Sequence, residues 1–144
     1  MAVKRMSAAE YVNAAGGFAG LEKPKSKYRN VPTVVDGVRF SSRAEAKRWD
    51  ELRMLEKAGE IIDLKRQVAF PLYVKDRLVA NYVSDFSYHR RTGDLESYLV
   101  VEDVKGGILT EAFRLKAKMF EAFYGFPITI IGGPRRSTRS KRNG

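Results

Sequence analysis

The amino-acid sequence predicts an α/β domain in which a mixed sheet is flanked by helices, and three observations carry that expectation. Short β-type runs bounded by turn residues lie on both sides of helix-type stretches. Two stretches, opening at Ser42 and Thr110, have helix caps and inward residues at helical spacing. Hydrophobic residues make up 44% and aromatics 11% of the 144 residues, enough to build one core in one domain.

Taken in order, Ser7 and Glu10 have capping-box spacing before a short helical stretch that Gly16-Gly17 ends, and Lys23 to Lys27 reads as an exposed basic linker. Residues 1–27 are therefore expected to form a flexible arm, and the domain to occupy 28–133. Thr33 to Phe40 is two β-type runs around Asp36-Gly37, the strongest short hairpin signal. Ser42 opens a helix expected to run to about Ala58 and stop at Gly59. Ile61 to Leu72, Arg77 to Tyr88 and Tyr98 to Lys105 read as strands. Thr110 caps a helix to Tyr124 with Gly125 behind it, and Ile128 to Ile131 closes as a short strand. Residues 134–144 hold five positive charges, Arg135, Arg136, Arg139, Lys141 and Arg142, with no acid and no large apolar side chain, the composition of a flexible basic tail.

Composition narrows the function. Cysteine is absent, which excludes a disulfide scaffold, a thiolate zinc site and a cysteine nucleophile. The stretch after Lys4-Arg5 is broken by Ser7, Glu10 and Asn13, so it lacks a signal-peptide core, and no apolar run reaches the roughly 20 residues of a membrane span. A cytoplasmic protein is expected. The formal charge of +10 favours a polyanionic partner, with nucleic acid first, and the tail residues are candidate phosphate contacts.

Acids inside the strands of so basic a chain need a reason, because Asp is depleted from strands and costly to bury unpaired. Asp85 and Asp103 are equidistant from Asp94, at the middle of the polar connection between two strands, so in an antiparallel pair they stand nearly opposite, with Cβ atoms about 5 Å apart. Alternation puts Lys105 on the face of Asp103 and Glu102 on the other. Two opposed carboxylates call for a cation. Lys105 is one; a divalent metal is another, and a hard-oxygen set with a single His suits Mg²⁺ or Mn²⁺. The same residues also fit a structural ion-pair cluster. Glu45 lies on one helix stripe with Trp49 and Leu52, facing the sheet, or else completes a capping box with Ser42. Lys116 shares a stripe with Phe113, Ala117 and Phe120, where it either snorkels or reaches a phosphate or a metal-bound water.

An Asp at a strand, a hairpin, then Asp-x-Lys after an apolar run, between two helices of which the first carries an inward Glu, resembles the PD-(D/E)xK nuclease superfamily. The stretches KYRN, DGVRFSSRAEAKRW, LEKAGEI, YVSDF and VVEDVKG resemble a phage-type endonuclease-like family related to Holliday junction resolvases, over about Tyr28 to Ile131. The resemblance implies a restriction-endonuclease-like core and a Mg²⁺-dependent (or Mn²⁺-dependent) DNA endonuclease acting on branched DNA such as a Holliday junction, in the cytoplasm of a bacterium or of a phage's host. It assigns Asp85, Asp103, the Val104 carbonyl and Glu45 to the metal, Lys105 to the attacking water or the developing phosphorane charge, and Gln67 to a place near the site. Ser84 stands where the superfamily motif has Pro. A non-catalytic nucleic-acid-binding module on the same scaffold is the alternative. A four-way junction has two-fold symmetry, so a homodimer is expected; Phe113, Met119, Phe120, Phe123 and Tyr124 offer a contact surface unless all five pack within one chain.

Overall fold

A computed structural model describes residues 31–133; the arm at 1–27 and the basic tail at 134–144, with its five candidate phosphate contacts, lie outside the described residues. The first hairpin pairs β1 (Thr33–Val35) with β2 (Val38–Phe40). Its turn places Asp36 and Gly37 both at positive φ, as the Asp-Gly pair favours. Helix α1 (Arg43–Lys57) is capped by Ser42, whose hydroxyl accepts from the Glu45 N–H, and it buries Ala46 and Leu52. Beyond its Ala58 cap the chain turns at Gly59, at positive φ.

The expected strand from Ile61 to Leu72 is two strands, β3 (Ile61–Arg66) and β4 (Ala69–Val74), and the one from Arg77 to Tyr88 is β5 (Arg77–Val83) and β6 (Phe86–Arg91). The pairing does not slip across the break. Arg66 faces Phe86 on one side of it and Ala69 faces Val83 on the other. Between them, the Gln67 N–H donates to the Asp85 carbonyl at 3.0 Å and the Ser84 N–H to the Val68 carbonyl at 2.9 Å. One long ribbon is thus bent at Gln67, held at φ +48°, and at Ser84-Asp85. Sequence periodicity is blind to the bend because register continues through it; the need for it is in the packing. The near half supplies Ile61, Phe86 and Tyr88 to the core under α1, and the far half supplies Phe70, Leu72 and Tyr82 to a second core.

Strand β7 (Ser97–Lys105) pairs antiparallel with β6, and β8 (Thr129–Gly132) lies parallel to β7, giving a four-stranded mixed sheet of order β3-β6-β7-β8. The β7–β8 connection is α2 (Glu111–Tyr124), which opens on the Thr110 hydroxyl and closes on Gly125 in the left-handed conformation. The sheet therefore has α1 on one face and, on the other, α2 with the β4–β5 hairpin. The five aromatic and Met side chains of α2 do not make an exposed surface: Phe113 and Phe120 are buried, Met119, Phe123 and Tyr124 half-buried. The Tyr124 hydroxyl donates to the Pro71 carbonyl at 2.7 Å and Phe123 packs against Tyr73. The bent-back hairpin packs on this stripe, so these side chains take the alternative of packing within one chain. Among the described residues no helix is long and apolar enough to cross a membrane.

Candidate active site

Along β6 and β7 the partners run from Arg91 with Ser97 to Phe86 with Glu102, so the next step sets Asp85 opposite Asp103, the register expected from the sequence. Asp85 itself sits at the bend and not inside a strand. Its N–H still donates to the Glu102 carbonyl at 3.1 Å, but its own carbonyl is turned towards Gln67, and its carboxylate Oδ2 accepts the next ladder N–H, that of Val104, at 2.7 Å. The side chain stands where a strand would place a carbonyl, so the main chain of β7 fixes the carboxylate. Proline at position 84 would lose the bond from the Ser84 N–H to Val68, which accounts for serine serving this bend.

Asp103 is 1% and Asp85 4% exposed. On the α2 face, Asp103 Oδ2 accepts from the Tyr82 hydroxyl at 2.7 Å, and Oδ1 is 2.9 Å from Lys105 Nζ. The Lys105 ammonium also lies 4.1 Å from the centre of the Phe113 ring, a cation–π contact that limits its positions. Burial pushes the Tyr82 phenol well above its ordinary pKa, reinforced by the Asp103 and Asp85 charges, so Tyr82 is a proton donor throughout the physiological range. Gly132 supports Lys105 from β8. It sits at φ +79°, and a Cβ there would come within 2.5 Å of the Lys105 carbonyl oxygen, so any side chain would force the two strands apart.

Glu102 points the other way, as alternation requires, and is 1% exposed. Arg48 of α1 grips it with both prongs, Nη2 to Oε1 at 2.6 Å and Nε to Oε2 at 2.9 Å, and the Tyr88 hydroxyl adds a bond to Oε1 at 2.5 Å. The Glu102 bond raises the Arg48 pKa further, and burial, followed by the Glu102 hydrogen bond, raises that of Tyr88.

The remaining expected site residues divide. Glu45 accepts from the Ser41 hydroxyl at 2.6 Å, while Ser42 caps the Glu45 N–H, so the reciprocal capping bond is replaced by one to the neighbouring serine. Gln67 touches the site through its backbone; it belongs to no strand, and its side chain is exposed. Lys116 donates to the Asn81 carbonyl at 3.2 Å, the outcome of a snorkelling lysine. Arg66 is the residue that sequence reading missed. At the end of β3 beside the bend, its guanidinium lies 4.3 Å from the Phe40 ring centre and 5.7 Å from that of Trp49, and it donates to the Arg39 carbonyl at 2.9 Å. Burial lowers its pKa, against the opposing pull of Glu45 and Asp85. Only the cross-strand pairing of Arg66 with Phe86, next to Asp85, could have singled it out from the other basic residues.

Over residues 25–129 the sequence matches the family described as Protein of unknown function (DUF1064), a span that takes in Glu45, Arg66, Asp85, Asp103 and Lys105. The chain belongs to this family. No curated protein and no solved structure matches it. In this DUF1064 member, the matched region stops inside β8 and leaves out the basic tail.

Proposed function

We propose that the protein is a metal-dependent DNA endonuclease that hydrolyses phosphodiester bonds, with branched DNA such as a Holliday junction as its substrate class. The observation that carries this reading is the pair of buried carboxylates, Asp85 and Asp103, opposed across the end of the β6–β7 ladder, with Lys105 on the second. Opposed acids weaken a sheet, and a fold gains nothing in stability from keeping them. The order helix, antiparallel strands, helix, parallel strand is also the order that the PD-(D/E)xK resemblance implies.

The donors suit a hard cation. Among the described residues no group of three or more Asp, Glu or His is assembled for a metal. Two carboxylates, with waters completing the shell, are the usual holding of Mg²⁺, and Asp85 and Asp103 would be those two, with the Val104 carbonyl and, through water, Glu45. When bound, such a metal neutralises the non-bridging phosphate oxygens and lowers the pKa of its water. The chain's own groups do the rest. Val104 N–H and Tyr82 O–H fix the directions of the two carboxylates. Lys105 holds a proton beside Asp103, where it orients an attacking water and offsets charge gathering on the phosphate. The net positive charge, with the tail included, supplies duplex affinity that the acids alone would oppose.

One observation favours the other reading, a non-catalytic nucleic-acid-binding module: Lys105, 2.9 Å from Asp103 Oδ1, can by itself compensate that buried acid as a structural ion pair. Incubating the full chain with labelled four-way junction, flap, duplex and single-stranded DNA, in Mg²⁺, Mn²⁺ or EDTA, separates them. Cleavage in either metal and none in EDTA is expected. Binding without cleavage in either metal favours the module, and light scattering on the junction tests for a dimer.

A further inference from the structure

We infer that Arg66 is the phosphate-binding group of this site, the cation that lets an anionic DNA backbone approach Asp85 and Asp103; the inference rests on the nuclease reading above. A polyanion is repelled by a pair of buried carboxylates unless a positive charge beside them remains available. The neighbouring cations differ in this respect. Arg48 is committed to Glu102 through both prongs, and Lys105 lies on Asp103 at 2.9 Å. The hydrogen bond of Arg66 goes to the Arg39 carbonyl, a neutral group, so no ion pair cancels its charge among the described residues.

Its position is built. The guanidinium lies over Phe40, with Trp49 beyond, and its tether to Arg39 fixes one end of the fork. Arg66 pairs with Phe86, and the next residue, Gln67, binds the Asp85 carbonyl, so the Arg66 backbone adjoins the bend that presents Asp85, and the charges of Glu45 and Asp85 act on its guanidinium. Trp49 is one helical turn beyond Glu45 on α1, which puts Glu45 on the same side. The Phe40 ring covers one side of the guanidinium while the residue as a whole stays half-buried. A planar, partly desolvated and tethered guanidinium with free N–H groups fits two oxygens of one phosphate, and less of its rotamer freedom is left to lose on binding than in a free surface arginine.

The test uses the full chain and fluorescent junction and duplex DNA, with Ca²⁺ replacing Mg²⁺ so that binding is read without cleavage. Arg66→Ala is expected to weaken binding about tenfold and to lower the slope of log K against log salt by about one unit. A change that merely loosened the fold would not lower the slope by one phosphate. Arg66→Lys keeps the charge and loses the fork, so its slope is expected to match wild type while binding falls a few-fold. Should Arg66→Ala fail to fold, wild-type protein on duplexes carrying one neutral methylphosphonate, walked along the cleaved strand, gives the answer: one position next to the cut must weaken binding by the same factor. In Arg66→Lys, or in Arg66→Ala where it folds, that substitution must have less effect than in wild type. If wild type cleaves in Mg²⁺ but the salt slope of Arg66→Ala is unchanged, or no methylphosphonate near the cut weakens binding, Arg66 is not the phosphate group and the nuclease reading survives. If wild type cleaves none of the DNAs in Mg²⁺ or Mn²⁺, the nuclease reading falls and this inference with it.

Discussion

Adjacent residues of one strand, Glu102 and Asp103, bury a carboxylate on opposite faces of the same sheet, each 1% exposed, and they are held in opposite ways. Glu102 meets a planar guanidinium that matches both of its oxygens, and a tyrosine completes the set. That arrangement cancels its charge and ties α1 to the middle of the sheet. Among the described residues Asp103 meets the Tyr82 hydroxyl and the Lys105 ammonium, a point charge and not a fork, and faces a second acid across the ladder. The first carboxylate is a fastening. The second keeps one oxygen on a single ammonium, beside another carboxylate, the arrangement that the proposed metal site would use.

The largest expected effect tests this contrast directly. Asp85→Asn or Asp103→Asn is expected to abolish cleavage while DNA binding stays near normal or tightens, because each removes a metal ligand and a charge that repels phosphate. Retained Mg²⁺-dependent turnover in both purified variants would sink the assignment. Glu102→Gln is expected to do the reverse. It removes the buried charge that Arg48 pairs with and leaves only the exposed Glu51, at a cost of about 3 kcal/mol in urea denaturation, while the folded fraction still cleaves. If Glu102→Gln loses turnover with its stability intact, the two acids have been assigned to the wrong faces.

Much of this contrast was legible beforehand. The turn residues around Asp94 set the register, and alternation then separated Glu102 from Asp103. The helices were legible for the same local reason, since Ser42, Gly59, Thr110 and Gly125 are caps and stops that act within a turn. The bend at Gln67 and Ser84-Asp85 was not. A non-glycine residue at positive φ leaves no mark on polarity patterns, and the bend is enforced by two cores that form only when the ribbon folds over. Tyr82 and Arg66 stayed hidden for the same reason. Tyr82 reaches Asp103 by a hydroxyl from the far side of the bend, and Arg66, at the near side, lies over Phe40 within the field of Asp85. Of the two outcomes open for the α2 stripe, packing within one chain is the one found, and nothing in the helix's own sequence shows that a hairpin arrives to cover it.

The two tyrosines give a pH test of both faces. Tyr82 and Tyr88 have phenol pKa values raised by burial first and by their acid partners next. The unfolded chain releases these protons near the ordinary value of about 10, whereas the folded chain keeps them. Above that pH the folded state binds more protons than the unfolded, so the stabilisation is fully present below about pH 10 and is lost as pH rises beyond it. Each tyrosine should contribute a decline of up to about 1.4 kcal/mol per pH unit there. Urea melts at pH 9 and 11 should show Tyr82→Phe and Tyr88→Phe each removing one such contribution. At neutral pH only Tyr82→Phe should also slow cleavage, since it alone orients a site carboxylate. Equal loss of turnover in both would mean that the faces are not functionally distinct.

The smallest effect separates two neighbours at the start of α1. The Ser42 hydroxyl accepts the Glu45 N–H at the helix N-terminus, so Ser42→Ala is expected to cost about 1 kcal/mol and to leave cleavage by the folded protein unchanged. The Glu45 carboxylate is not engaged in the reciprocal bond to the Ser42 backbone; it accepts from Ser41 and lies in the field of Arg66. Glu45→Gln should therefore leave the melting temperature within about 2 °C of wild type, an effect of a few tenths of a kcal/mol, and lower turnover and the apparent affinity for Mg²⁺ together. Differential scanning calorimetry and a Mg²⁺ titration of the cleavage rate on the same two variants read both quantities. A fall in melting temperature for Glu45→Gln as large as that for Ser42→Ala, with the Mg²⁺ dependence unmoved, would return Glu45 to the helix cap and leave Asp85 and Asp103 as the acids of the site.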